Sequence, residues 1–374
     1  MSKFCVDIAR RIFRRTPSKI QSRLPLGCWK RLFPKHTLGV LYHMVADTPR
    51  PHMLTYPHKG PAQFERDVTW LQNRFGLLDY DEIVSVRDGG NWDKGLNKAC
   101  ISFDDGFREC FTLARPILKR LNAPCTFFIT THWLDNKTMF HEGKASLCIS
   151  LLQDMLEEEV CDFIQSLKWR PDESEMASEQ ALNALKWRLK HIQLRPGLSK
   201  THHEVVRLLL STSAKDDAAL DDICGQLGIN INQWLTEHKP YVTSKEVKQF
   251  AAEGFTLGGH GLSHQAIQDL DSPEAMERDI VESCAHIRDL TGQRQVPFAF
   301  PFGGAGVDRE FLQCIRQRNP FVGLYFDTNE LRPDRAFIVN RIGADIPDAN
   351  DSFAQRLRGI WSQRTSWNPS VTDA

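Results

Sequence analysis

Residues 99–130 read ACISFDDGFRECFTLARPILKRLNAPCTFFIT. The stretch opens on a short apolar run, Ala99 to Phe103, meets the carboxylate pair Asp104–Asp105 and turns at Gly106. A helical pattern follows from Phe107 to Leu121, and Pro124 to Thr130 is a second strand-like run. Strand, helix and strand in that order predict an α/β fold with parallel strands.

The same alternation extends outward. Upstream, LGVLYHMV (38–45) reads as a strand, DTPRPHMLTYPHKGP (47–61) as a Pro-rich loop, and 61–75 as a helix with Phe64, Val68, Trp70 and Leu71 as its apolar residues. Downstream it resumes at Ser244 with a short helix, then strand 255–259, helix 273–291, strand 297–300, helix 308–318, strands 321–326 and 337–342, and a last helix near 353–363. Serial strand–helix units predict an irregular (β/α) barrel, in which chemistry sits at the C-terminal ends of the strands. Residues 140–240 interrupt the pattern. They are rich in Leu, Glu, Lys and Gln, have few strand-like runs and show no fixed repeat, so they read as a helical insertion. LCISLLQDMLEEEVCDFIQSL (147–167) reads as a single helix within it. The expected organisation is a basic segment 1–36, a first barrel part 37–139, the insertion 140–240, a second barrel part 241–363 and a frayed tail 364–374.

Composition limits the function classes. Lys plus Arg and Asp plus Glu both total 47 in 374 residues, so the chain lacks the basic surplus that phosphate neutralisation requires, and no nucleic-acid partner is expected. The ten cysteines are scattered without CxxC spacing and several sit in apolar runs, which suits buried thiols in a reducing compartment. The first residues, MSKFCVDIARRIFRR, have no signal-peptide core, and no apolar run is long enough to span a bilayer, so the expected location is the cytoplasm. In segment 1–36, Phe4, Ile8 and Ile12 recur at helical spacing among Arg10, Arg11, Arg14 and Arg15. Such a helix docks on the protein's own body or, alternatively, makes peripheral contact with an anionic inner-membrane surface.

Three short motifs fall at predicted strand ends. In FDDG, one carboxylate can bind a metal while the other acts as a base, although Asp-Gly also serves simple turns and helix caps. In HGLSH, His260 and His264 are four apart, so on a helical turn both imidazoles face one side and can share an ion. The pattern is not HExxH, because Gly261 occupies the glutamate position, and a pair of surface histidines is the plain alternative. In FAFPFGG (298–304), aromatic residues flank Pro301, which reads as a buried strand and turn or as an apolar wall with backbone N–H groups facing a cleft.

Together and in this order, Ser102–Gly106, His260–His264 and Pro301–Phe302–Gly303 resemble the motifs of the polysaccharide deacetylase family, the chitin deacetylase-like carbohydrate esterases. The likeness covers about residues 37–135 and 243–345, and the LYHMV strand with its following loop is similar to a bacterial branch linked to surface-polysaccharide synthesis. The resemblance implies that Asp105, His260 and His264 hold a divalent metal, Zn²⁺ in the first instance. It implies Asp104 as the general base and the Phe302 N–H, with Pro301 and Gly303, as the oxyanion side of the site. Two positions depart from the family pattern: Gly261 replaces the usual Ser or Thr, and the late histidine that protonates the leaving amine is absent, since no histidine follows His286. His43, at the end of the first strand, is the replacement candidate. Arg341 and Asp327, at late strand ends, are candidates for orienting Asp104 or the acid.

The implied activity is hydrolysis of an N-acetyl amide on an amino sugar, in a glycan or in a nucleotide- or lipid-linked precursor. The alternatives are a deformylase or other small-amide hydrolase built on the same metal site, and a glycan-binding pseudoenzyme that lacks the late histidine's function.

Overall fold

The computed structural model describes residues 37–89, 98–170, 179–328, 334–345 and Leu357. The expected helices within 1–36 and 353–363 and the tail lie outside the described residues, Leu357 apart. Seven strands close a parallel barrel in chain order: β1 Leu38–Tyr42, β2 Ala99–Phe103, β3 Thr126–Ile129, β4 Thr256–Gly259, β5 Val296–Ala299, β6 Val322–Asp327 and β7 Ile338–Gly343, with β7 pairing back onto β1. Nearly every strand residue is buried, as expected for strands that carry side chains inward to the barrel and outward to covering helices. Closure depends on Gly39. A Cβ there would stand 2.5 Å from the Asn340 carbonyl oxygen and 2.7 Å from the Arg341 Cγ, so a larger residue would force β1 and β7 apart.

Helices α1 Pro61–Phe75, α2 Tyr80–Arg87, α3 Arg115–Arg120, α10 Ser244–Ala252, α11 Pro273–Thr291 and α12 Arg309–Arg318 accompany the barrel. Sequence reasoning missed α2, although it carries a start signal: Asp79 accepts from the Glu82 amide while the Glu82 carboxylate accepts from the Asp79 amide. The helix expected over 107–121 runs from Arg108 to Arg120, with a π-turn at Cys110–Ala114 before α3. Strand β1 stops at Tyr42 rather than running to Val45, because the His43 amide leaves the ladder to donate to the Asp345 carboxylate.

Between β3 and α10 the described residues form six α-helices and no strand: α4 His141–Leu152, α5 Glu157–Ser166, α6 Glu179–His191, α7 Lys200–Leu210, α8 Asp217–Gln226 and α9 Ile231–His238. The expected single helix over 147–167 is two. The chain turns at Gln153–Met155, and α5 starts afresh where Glu159 accepts the Leu156 amide. These helices bury their own apolar cluster, with Val205, Leu209, Leu220 and Ile223 at its centre. Among the described cysteines most are buried and all are free, but Cys161 is half-buried and Cys314 on α12 is exposed. No described helix is long and apolar enough to cross a membrane.

Candidate metal and hydrolytic site

The site forms where β2, β4, β5 and β7 end. The Asp104 amide still donates to the Tyr42 carbonyl at 3.0 Å, the last tie of the β1–β2 edge. Asp105 then takes a left-handed backbone, φ 77°, and Gly106 follows at φ 89°. This double turn sends the two adjacent carboxylates to different partners. Asp104 receives both arms of Arg341, Nη1 to Oδ1 at 2.6 Å and Nη2 to Oδ2 at 2.9 Å, while Nη1 also donates to Ser102 Oγ at 2.9 Å. Arg341 is fully buried, with its guanidinium 5.2 Å from the Phe128 ring centroid and 5.7 Å from that of Phe326. A planar fork between aromatic rings fixes a carboxylate in both position and orientation.

Asp105 faces the histidines instead. Its Oδ1 lies 3.1 Å from His260 Nε2 and 3.1 Å from His264 Nε2, and the three ligand-capable atoms lie within 4.8 Å of one another. All three residues are buried. The convergence is not helical: residues 260–264 run through a bend, with Gly261 at φ 73° and His264 at φ 61°. Gly261 is required there twice over, by its backbone and because a Cβ would sit 2.9 Å from Asp279 Oδ2. Asp279 Oδ1 accepts the Leu262 amide at 2.9 Å, and the His132 amide donates to the Leu262 carbonyl at 2.9 Å, so the bend is pinned from two elements.

These residues fit a cation. Both Asp105 carboxylate oxygens are buried and lack a hydrogen-bond donor, a costly state for a carboxylate unless a positive charge sits beside it. His260 Nδ1 lies 2.9 Å from the Ala299 carbonyl, so that nitrogen carries the proton and Nε2 keeps its lone pair toward Asp105. Trp133, Phe140 and Phe302 surround the His264 ring at centroid distances of 5.2, 4.9 and 4.8 Å. Burial opposes ionisation of Asp105, but His264 and His260 beside it hold its carboxyl well below the usual carboxylate range.

The third motif forms the turn after β5. Gly303 donates its amide to the Phe300 carbonyl and Gly304 to Asp327 Oδ1, whereas the Phe302 N–H finds no acceptor among the described residues. Phe302 is 53% exposed at φ 57°, beside the buried His264. Asp327 does not orient Asp104: it caps this turn and pairs with Arg309 at 2.9 Å.

His43 is partly exposed at the same end of the barrel and has a partner that sequence reasoning did not identify. Asp345 Oδ2 lies 2.7 Å from His43 Nδ1, and Asp345 Oδ1 accepts the His43 amide at 2.8 Å. Desolvation lowers the imidazole's proton affinity, but Asp345, with Asp105 and Asp104 farther off, outweighs it and raises the pKa from 6.5 to about 9. The signal for Asp345 was present in its position two residues beyond the end of β7, on the face where barrel sites are built.

Residues 215–319, which contain the second and third motifs, match the family model described as polysaccharide deacetylase. No curated protein matches the chain by sequence. Among solved structures, the chain is similar in fold to the Streptococcus pyogenes deacetylase PplD in complex with acetate, at TM-score 0.50 and 14% identity, over 87% of this chain and 98% of that one. IcaB from Ammonifex degensii aligns at TM-score 0.48 and 14% identity over 88% and 97% of the two chains. A de-N-acetylase from Aggregatibacter actinomycetemcomitans aligns at TM-score 0.46 and 12% identity over 86% and 99%. The chain thus carries a match to the polysaccharide deacetylase model over residues 215–319, and its closed barrel, with the motifs at the strand ends, shares the fold of the Streptococcus pyogenes deacetylase at TM-score 0.50.

Proposed function

We propose that the chain hydrolyses the N-acetyl amide of an amino sugar in a glycan or glycan precursor, using a divalent metal, Zn²⁺, held by Asp105, His260 and His264. The observation that carries this reading is the buried, donorless Asp105 carboxylate facing two imidazole nitrogens at 3.1 Å. Bound there, such an ion polarises the amide carbonyl and makes water nucleophilic near neutral pH.

The chain's own residues supply the rest. Asp104, held and oriented by Arg341, takes the proton of the attacking water. The Phe302 N–H, with no acceptor among the described residues, faces the oxygen that gains negative charge. His43, protonated through its pairing with Asp345, gives a proton to the departing nitrogen, which leaves poorly as an anion. This assigns the work of the family's missing late histidine to the first strand. We place the chain in the cytoplasm, where a nucleotide- or lipid-linked sugar is the precursor on hand.

The test is metal analysis of the purified chain, followed by acetate and formate assays on a panel of N-acylated amino sugars. Acetate release that depends on the metal is expected. Formate release alone would move the chain to the deformylase class, and a metal-free chain that binds sugars without turnover would make it a glycan-binding pseudoenzyme.

A further inference from the structure

Two polar groups beside the metal triad take no part in the chemistry above. Tyr56, in the loop between β1 and α1, is 8% exposed, with its ring edge-on to His43 at 5.5 Å and to Phe107 at 5.8 Å. Its carbonyl accepts from the Gln193 side chain at 3.2 Å, but its hydroxyl bonds no protein group among the described residues. Beyond the triad, the Phe140 ring stands 4.9 Å from His264, and the His141 ring stands 4.3 Å from Phe140. His141 is 6% exposed, and its imidazole likewise bonds nothing among the described residues. Both side chains are largely buried, but their polar atoms bond no described protein group and still reach solvent, so they are free to meet a ligand that enters beside the triad.

The chemistry of that ligand follows from the surroundings. Burial, then Asp105 and Glu142, push the Tyr56 phenol up, so it remains a neutral O–H donor. Burial, then Arg188 and His264, push His141 down, so it remains neutral with one donor and one acceptor. The nearby cation, Arg188, is already committed to Glu142 and to the Leu210 and Thr212 carbonyls, leaving little for a phosphate. Neutral donors and an acceptor beside aromatic rings suit the hydroxyl groups and C–H faces of a sugar.

We propose that Tyr56 and His141 form a substrate subsite that reads the hydroxyl groups of an uncharged sugar ring next to the reacting amide. The proposal rests on the deacetylase reading and adds to it that the first helix after β3 and the loop after β1 jointly set specificity.

A β-linked N-acetylglucosamine pentamer is the probe, followed by acetate release and by calorimetric binding, for the wild type, Tyr56→Phe and His141→Phe. Both substitutions keep a ring in place. Each is expected to raise KM and weaken pentamer binding by about 3- to 10-fold, the loss of one neutral hydrogen bond, with kcat and metal content near wild type. The double variant should multiply the two losses. Wild-type KM and affinity in both variants would overturn the subsite while leaving the deacetylase reading intact. A wild-type chain that binds the pentamer in a Tyr56-dependent way but releases no acetate would support the subsite and overturn the reading. If the wild type neither binds nor cleaves the pentamer, the assignment of an uncharged sugar ring is wrong.

Discussion

The barrel and the helical region between β3 and β4 solve the problem of burial differently. The barrel core is dense in aromatic residues, with Phe103 stacked on Phe127 at 5.4 Å and Phe128 against Phe326 at 4.9 Å. The helical region packs aliphatic side chains such as Val205, Leu209, Leu220 and Ile223 around Cys148 and Cys224. The two also differ in what they leave outside. Among the described residues, Leu151, Leu156, Leu182, Trp187 and Leu189 are exposed on the helices, whereas the barrel exposes one large apolar side chain, Phe302. Scattered surface leucines need no explanation, but an exposed aromatic at a strand end, over a candidate ligand, does. Every group proposed to move a proton or hold the metal comes from the barrel, and the helical region approaches the site chiefly through Phe140 and the residue after it. On this proposal the barrel carries reactivity, and the helices carry shape.

That division can be broken most sharply at Asp105. Asp105→Ala is expected to abolish metal binding and reduce turnover below detection, read by elemental analysis and acetate release. Full metal content in that variant would remove the barrel's claim to the reactive centre. The next largest effect is Asp104→Asn, which should lower kcat by about 10²-fold or more while metal content stays near wild type. Joint loss of metal and activity would mean that the two aspartates exchange roles.

A third prediction concerns pH. His43 must be protonated to donate, so kcat/KM should hold up to mildly basic pH and fall as pH rises through about 9. Asp345→Asn removes the main group that raises that pKa, and the basic limb should move down toward the ordinary imidazole value of 6.5. A pH profile unchanged in Asp345→Asn would place the acid elsewhere. The smallest effect on chemistry is expected in the helical core: Leu209→Ala should cost about 2–5 kcal/mol of stability in denaturant unfolding, with kcat little changed. A collapse of kcat equal to that of Asp104→Asn would show that the helices share in reactivity.

Much of this was legible from residues alone. Strand positions followed from short apolar runs, and the three motifs marked strand ends because a carboxylate pair or two histidines have little reason to follow such runs. What was not legible depended on backbone conformation or on distance along the chain. HxxxH spacing suggested a helical turn, yet Gly261 and the left-handed His264 bring the rings together through a bend, with centroids 4.9 Å apart. Spacing does not reveal φ. Asp345 was missed because its partner lies 302 residues away. Arg341 was named as an orienting candidate, but its bidentate grip on Asp104 could not be told from a structural ion pair without the barrel that joins β1 to β7.

Asp105, His264 and Phe302 share a left-handed backbone, a conformation that costs a residue with a side chain about 1–3 kcal/mol. Selection for thermal stability and selection for turnover should therefore pull in opposite directions at these three positions. A library screened only for heat resistance should drift toward glycine or asparagine at the exposed Phe302 and lose the aromatic lid over His264 as it does so. Thermostable variants of this chain should accordingly be sought by mutating residues away from the strand-end turns.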